Sequence, residues 1–244
     1  MPDPAQLALV CVVALAAATL GGLSGFGTGL VLPVFLVPLV GVTRVIPVMA
    51  VAMLLANGSR VLAFRRDVQG PHVRRLLLLG LPACLAAAWG YTLLPARAIG
   101  LLLGGFLLAS VPLRRWLRRR AWQLSPRAEL AAGGAFGFVD GGLTGTGVIL
   151  ISILMAAGVA GPALVATDAL VSVALGLAKV LLFGRLAALD LQGALVGLLV
   201  GLCTMPGAFI ARALLRRLPA GFHAGFMEGV VLVGAVLLLV QAWR

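Results

Sequence analysis

Gly21-Gly22-Leu23-Ser24-Gly25-Phe26-Gly27-Thr28-Gly29 lies between two apolar runs, and a second copy, Gly141-Gly142-Leu143-Thr144-Gly145-Thr146-Gly147, lies between two more. The copies match position by position, with Ser24 answered by Thr144. Glycine costs a helix about 1 kcal/mol per residue relative to alanine, so we expect both stretches to break the helices beside them. Inside a membrane, non-helical backbone is tolerated only where protein or a water-filled cavity satisfies its polar groups. The two breaks therefore predict a path for something polar.

The composition indicates an integral membrane protein. Of the 244 residues, 62% are hydrophobic and only 11% are charged, whereas about a quarter of a soluble domain is charged. The 19 Lys and Arg residues outnumber the 7 Asp and Glu residues, but the arginines lie in short loops between apolar runs. The positive-inside rule explains this basic balance better than binding of nucleic acid does. We expect membrane lipid and no nucleic acid as partners, and we expect the first apolar segment to be retained, because it lacks the basic start of a signal peptide.

The apolar runs predict an all-α polytopic protein. Helices are expected over residues 5–20, 30–40, 44–64, 76–94, 97–113, 128–139, 148–158, 163–183, 193–211 and 222–243. We expect a first membrane repeat over 1–113, a basic linker over 114–126 and a second membrane repeat over 127–244.

The two halves are predicted to be homologous, because segments beyond the glycines also match in the same order. The pairs are Ser59–Phe64 with Ala178–Phe183, Asp67–Gly70 with Asp190–Gly193, and Leu94–Ala96 with Leu218–Ala220. Several ordered matches of this kind indicate an internal repeat.

The glycine breaks leave two arrangements of the halves open. If each break is the tip of a re-entrant hairpin, each half adds three transmembrane helices and the halves are inverted; if each half crosses four times, they are parallel. The inverted arrangement places somewhat more arginines on the side of the linker, so we favour it. It also brings the two hairpin tips together near the midplane, where the starts of 30–40 and 148–158 would favour an anion.

Two basic residues occupy equivalent positions in the halves. Arg60 and Lys179 lie in the second long apolar run of each half, and a basic residue inside a bilayer is costly unless it faces a cavity. The alternative is that both side chains reach the headgroups from the helix ends. We predict a substrate-binding role for these two residues and for neutral groups near them. The neutral groups are Ser24, Gly25, Gly27, Thr28, Asn57, Thr144, Gly145 and Thr146.

Asp140 and Asp168 are the acidic residues that are hardest to explain as loop residues. A desolvated carboxylate gains affinity for protons, so either residue could couple proton movement to transport. The alternatives are a turn residue for Asp140 and a helix N-cap for Asp168. We expect no metal and no cofactor, because His72 and His223 lie in different loops without a neighbouring ligand pattern.

The chain resembles the TauE/SafE family of sulfite exporters. The resemblance rests on the double glycine signature, the helix that contains Thr167, the Asp190-Leu191-Gln192-Gly193 turn, the Pro206-Gly207 pair and the basic linker. It implies a multi-pass carrier of the bacterial inner membrane that exports sulfite or organosulfonates with the aid of the proton-motive force. It also implies that Thr167 belongs to the substrate site and that the linker is cytoplasmic. The first half has Val45-Ile46-Pro47-Val48 where a threonine matching Thr167 would lie. A homodimer is also compatible with the sequence, because its helices carry many small residues.

Two other functions are compatible with the sequence. A passive anion channel could use the same glycine breaks to line a pore. An intramembrane serine protease is less favoured: Gly22-Leu23-Ser24-Gly25 resembles the motif of rhomboid proteases, and His223 could serve as its base. The second glycine stretch carries Thr144 instead of serine, and a protease leaves the repeat unexplained. We therefore expect a transporter without catalytic residues.

Overall fold

The computed structural model describes residues 4–24, 28–119 and 123–214, together with Leu232, Ala235, Val236, Leu239, Val240 and Trp243. Most of these residues are helical, and none of them lies in a strand. The helices are α1 (Pro4–Ser24), α2 (Thr28–Val40), α3 (Val45–Phe64), a 3₁₀ turn (Arg65–Asp67), α4 (Gly70–Thr92), α5 (Ala96–Arg119), α6 (Pro126–Gly142), α7 (Gly147–Ala156), α8 (Gly161–Arg185) and α9 (Leu191–Leu214). The predicted run 222–243 lies outside the described residues except for the six isolated positions.

Four stretches of the described helices are long and apolar enough to span a membrane: Val45–Asp67, Gly70–Thr92, Ala96–Leu113 and Gly161–Arg185. Two of the remaining apolar helices are too short to do so. α2 has 13 residues and α7 has 10, which gives lengths of about 20 Å and about 15 Å against a hydrocarbon core of about 30 Å. The described chain therefore combines long membrane spans with half-length helices that follow the glycine stretches.

Three glycines of α6 let this helix lie directly against α4. A Cβ atom at Gly133 would come within 2.7 Å of the carbonyl oxygen of Leu76. Gly137 contacts the backbone of Gly80, and a Cβ at Gly141 would lie 3.0 Å from the backbone nitrogen of Ala88. The contacts advance along both helices together, so α4 and α6 are parallel. Small residues at four-residue spacing permit this close approach of membrane helices.

The α6–α7 segment begins and ends at the same end of the molecule. The N–H of Leu124, just before α6, donates a hydrogen bond of 2.8 Å to the carbonyl of Ala156, the last residue of α7. We call this the linker end and define it by residues 65–69, 123–125 and 157–160. The other end, formed by residues 41–44, 93–95 and 186–190, is called the opposite end.

Contacts at the opposite end join parts of both halves. The hydroxyl of Tyr91, in the last turn of α4, donates to the carbonyls of Val42 (3.2 Å) and Thr43 (2.9 Å), just after α2. Arg44 pairs with Asp190 at 3.0 Å. Because Asp190 precedes α9, the start of α9 and the end of α2 both lie at the opposite end.

The first arm of each glycine-broken segment packs against the other half of the chain. α6 packs most extensively against α4, and α1 against α9. The thiols of Cys11 and Cys203 are neighbours, and a Cβ at Gly207 would lie 2.6 Å from the Cβ of Ala18. These contacts advance together, so α1 is parallel to α9 and also begins at the opposite end.

The observed boundaries differ from the predicted ones at three places. α4 begins at Gly70 instead of residue 76, because Pro71 occupies its first turn and the following His and Arg residues are helical although they are not apolar. α5 continues to Arg119, within the segment predicted as linker. Gly141 and Gly142 remain helical, so the second break is limited to residues 143–146.

Candidate functional site

The two glycine stretches meet inside the protein. A Cβ atom at Gly29, in the first turn of α2, would lie 2.8 Å from the Cα of Gly145. Gly145 has a φ of +81°, a left-handed conformation that glycine adopts readily. The hydroxyl of Thr144 donates to the carbonyl of Gly29 at 3.4 Å. The first turns of α2 and α7 are therefore neighbours, and the backbone N–H groups at helix starts attract anions.

A cavity opens beside this meeting point. Its volume is about 840 Å³ when the open space at its mouth is included. α3 and α8 cross in an antiparallel manner at the cavity, since Arg60 lies near Asp168 and Leu54 lies near Gly176. The polar residues that line the cavity are Thr28, Asn57, Arg60, Asp140, Thr144, Thr146, Asp168, Ser172 and Lys179.

Lys179 forms a close buried ion pair with Asp140. Its Nζ lies 2.7 Å from Oδ2 of Asp140 and 2.9 Å from the carbonyl oxygen of the same residue. The hydroxyl of Thr146 donates to the other carboxylate oxygen at 2.5 Å. Only 9% of the Lys179 side chain and 14% of the Asp140 side chain are exposed. This pair ties α8 to the last turn of α6 and to the start of α7, and each of its charges already has a partner.

Arg60 forms a second ion pair, with Asp168, that is much looser. The shortest distance from an Arg60 guanidinium nitrogen to the Asp168 carboxylate is 3.8 Å, which exceeds a hydrogen bond. The Oδ1 atom of Asp168 is buried and has no hydrogen-bond partner among the described residues. Arg60 also donates to Oδ1 of Asn57 at 3.5 Å. Among the described residues, the guanidinium therefore keeps donors free on the cavity side.

A model for the family described as "Sulfite exporter TauE/SafE" matches residues 10–238, nearly the whole chain. The chain belongs to the TauE/SafE sulfite exporter family. It is thus a multi-pass membrane transport protein, and the family implies a small anionic substrate. No curated protein and no solved structure matches the chain.

The structure of this TauE/SafE chain brings most of the predicted site residues to one cavity. The lining includes nine of them: Thr28, Asn57, Arg60, Asp140, Thr144, Gly145, Thr146, Asp168 and Lys179. Thr167 is fully buried and is not part of the lining; its hydroxyl accepts the N–H of Gln69 at 3.1 Å. Gly25, Gly27 and the side chain of Ser24 lie outside the part of the chain that the structure describes.

Two of the alternative interpretations of these residues are wrong. The N-cap of α8 is Ala160, so Asp168 lies two turns inside the helix and caps nothing. Lys179 does not extend towards the headgroups, because its amine is held by Asp140 inside the protein. For the serine-protease alternative, His223 lies outside the described residues, as does the side chain of Ser24.

Sequence reasoning missed a buried cluster at the linker end. Glu129 is 1% exposed and contacts Nδ1 of His72 at 2.6 Å and a guanidinium nitrogen of Arg75 at 3.0 Å, which links α6 to α4. A glutamate within the first turns of an apolar helix was the available signal. Ser172 was missed as well, although it lies one turn after Asp168 on the face that continues to Gly176 and Lys179.

The arrangement suits binding of an anion more than binding of a metal. The described residues contain no group of three His, Cys, Asp or Glu side chains that could hold a metal ion. The three threonine hydroxyls of the cavity lining already donate to Ala17, Gly29 and Asp140. The cavity instead offers two helix starts and the guanidinium of Arg60. Such groups can replace the water around an oxyanion.

Proposed function

We propose that the protein is a secondary transporter that exports small sulfur-containing anions, sulfite or organosulfonates, across the bacterial inner membrane. The observation that carries this proposal is the cavity in which the starts of α2 and α7 meet beside a loosely paired arginine. Helix starts and guanidinium groups both favour oxyanions, and the family supplies the substrate class.

Arg60 is the residue that we expect to bind the substrate directly. Its nearest carboxylate lies 3.8 Å away, and 24% of its side chain is exposed. A guanidinium presents two parallel N–H donors to two oxygens of a sulfite or sulfonate group. Lys179 has its charge matched by Asp140 at 2.7 Å, so we expect it to shape the site by holding α8 against the second glycine break.

We propose that the halves are inverted repeats that work by alternating access. The proposal is supported by the α6–α7 segment, which begins and ends at the linker end, and by α1 and α2, which begin and end at the opposite end. Two hairpins entering from opposite sides can rock against the long helices and expose one central site to each side in turn.

We place the linker end in the cytoplasm, because basic residues concentrate there. Arg65, Arg66 and Arg74 are exposed at this end, and positively charged loops favour the cytoplasmic side. Export is proposed to be coupled to protons through a carboxylate of the cavity. A homodimer stays a prediction.

The binding claim can be tested by thermal unfolding of the purified protein in detergent. We expect sulfite or methanesulfonate to raise the unfolding temperature, because a ligand stabilises the native state in proportion to RT ln(1 + [L]/Kd). Arg60→Gln should remove the shift. Arg74→Gln is the matched control, since Arg74 is an exposed arginine at the same end, and it should keep the shift. An equal shift in Arg60→Gln would exclude Arg60 as the ligand.

Counterflow separates a carrier from a passive channel. Proteoliposomes loaded with unlabelled sulfite should accumulate labelled sulfite transiently above its external concentration. A carrier gives this result because it exchanges one anion for another at a single site, whereas a channel lets both equilibrate independently. Equilibration without an overshoot would leave anion binding in place but contradict alternating access.

A further inference from the structure

We propose that anion binding to Arg60 makes Asp168 take up one proton, so that Asp168, and not Asp140, is the proton-coupling residue of the site. The inference rests on the proposed function, because it needs an anion in the cavity. It assigns the coupling to one of the two buried carboxylates by their different partners. The proton then leaves together with the anion, so the outward gradient of the anion drives export and the proton-motive force does not.

Asp168 depends on Arg60 to keep its negative charge. Its side chain is 6% exposed, its Oδ2 lies 3.8 Å from Arg60, and its Oδ1 has no partner among the described residues. A buried carboxylate without a counter-ion is costly, and it becomes neutral by binding a proton. Asp168 is therefore stable as an anion only while Arg60 faces it.

An incoming anion competes with Asp168 for the guanidinium of Arg60. The pair is too long for a hydrogen bond, so a sulfonate group can take the Arg60 donors without first breaking one. The elements packed around Asp168 carry these charged or titratable groups: Arg60 on α3; His72, Arg74, Arg75, Cys84 and Tyr91 on α4; Arg127, Glu129 and Asp140 on α6; Lys179 and Arg185 on α8 itself; and the exposed Arg65, Arg66 and Asp67 of the 3₁₀ turn. Lys179 is held by Asp140 and cannot replace Arg60 as the partner of Asp168.

The charge balance of the cavity also favours uptake of a proton when an anion binds. The charges of the two ion pairs, Arg60 with Asp168 and Lys179 with Asp140, sum to zero. A bound monovalent anion adds one negative charge, and a proton from the surrounding water restores neutrality when it forms an O–H bond at a carboxylate oxygen of Asp168. That O–H can then donate to the anion, whereas the carboxylate would repel it.

Asp140 does not offer the same route. Both of its carboxylate oxygens already have partners, Thr146 on Oδ1 and Lys179 on Oδ2. Protonation there would weaken the contact that holds α8 to the second glycine break. An anion bound at Arg60 leaves this pair intact.

The test is a titration of the purified full-length protein in weakly buffered detergent solution with a pH indicator. Methanesulfonate is the probe because it carries no proton of its own. We expect about one proton taken up per anion bound, and an affinity that rises about tenfold for each unit by which the pH is lowered. If only sulfite binds, the same titration is corrected for the protonation of sulfite itself.

Two variants assign the proton. Asp168→Asn should bind methanesulfonate without proton uptake and with an affinity independent of pH. The double variant Asp140→Asn, Lys179→Met removes the other buried ion pair and keeps the charge of the cavity at zero, so it should retain the uptake. Binding without proton uptake in the unmodified protein, or uptake that is lost in the Asp140→Asn, Lys179→Met double variant and kept in Asp168→Asn, would overturn the inference while the anion site stands. Absence of any thermal shift or binding with both anions would remove the proposed function and this inference together.

Discussion

The two ion pairs of the cavity contain the same kinds of groups but differ in how completely they are joined. Lys179 and Asp140 are 2.7 Å apart, and Thr146 donates to the second carboxylate oxygen of Asp140. Arg60 and Asp168 are 3.8 Å apart, and one oxygen of Asp168 has no hydrogen-bond partner in the part of the chain that the structure describes. We call Lys179–Asp140 the closed pair, because both charged groups are fully engaged and hold the helices together. We call Arg60–Asp168 the open pair, or loose pair, because its guanidinium and carboxylate can still accept a ligand and a proton.

This difference is informative because Arg60 and Lys179 occupy matching positions in the two halves. Their chemistry would suggest equal roles. Their roles differ because their acidic partners differ. Asp140 lies in the last turn of α6, where its carboxylate and carbonyl contact Lys179. In the first glycine stretch, the residue that corresponds to Asp140 is Leu20. A repeat in sequence therefore does not imply a site that is symmetric in charge.

Breaking the closed pair, Lys179 with Asp140, should have the largest effect, a loss of stability. Lys179→Met leaves the Asp140 carboxylate buried without its cation, and removing one partner of a buried pair costs about 3–5 kcal/mol. We expect a large fall in the thermal unfolding temperature in detergent. The double variant Asp140→Asn, Lys179→Met should recover most of this loss, because no charge is then left unpaired. A single variant as stable as the parent would show that the pair does not hold the helices.

Conservative replacement of Arg60 should have the next largest effect. Arg60→Lys keeps the charge but loses the planar pair of donors, so we expect about a tenfold loss of sulfite affinity. Arg44→Lys, in an exposed ion pair at the opposite end, is the control and should bind sulfite as the parent does. Unchanged affinity in Arg60→Lys would indicate that only net charge matters. The measurement is the dissociation constant from thermal unfolding at several sulfite concentrations.

Opening the loose pair should cost little stability. Asp168→Asn removes a carboxylate whose Oδ1 has no partner within the described residues, so we expect the free energy of unfolding to change by no more than about 1 kcal/mol. This small change contrasts with the result expected for Lys179→Met, and both can be measured in the same unfolding assay. A loss in Asp168→Asn as large as that in Lys179→Met would show that the two pairs are equally structural.

The smallest effect is expected at Asn57, which contacts Arg60 at 3.5 Å. Asn57→Ala removes a long, weak hydrogen bond that orients the guanidinium, and we expect sulfite affinity to fall about two- to threefold. Ser59→Ala is the control: the Ser59 hydroxyl bonds to Ala56 of its own helix at 2.8 Å, so its loss should leave affinity unchanged. A loss beyond tenfold in Asn57→Ala would make Asn57 a direct ligand.

Much of the fold followed from the sequence because apolar runs and glycine breaks are local signals. The breaks, the half-length helices and the long spans of α3 and α8 could be predicted in this way. The start of α4 was misplaced because Pro71 and the basic residues of its first turns are not apolar. The helical state of Gly141 depends on its contact with α4, which no local pattern contains.

The site was predictable to the extent that burying charge is costly. Arg60, Asp140, Asp168 and Lys179 were identified for this reason, and all four line the cavity. Which acid faces which base could not be predicted, because the pairing depends on how α3, α6 and α8 cross. Thr167 was implicated only through the family resemblance, and its hydroxyl contacts Gln69 instead of the cavity.

The packing of α1 on α9 and of α6 on α4 has a consequence for biogenesis. Each half gives one arm to the other half, so neither α1 nor α6 finds its main neighbour within its own part of the chain. During synthesis α6 can dock as soon as it emerges, because α4 precedes it. α1 can reach its main neighbour only after α9 has been synthesised. The chaperones and insertion machinery of the membrane therefore have to protect α1 for longer than α6.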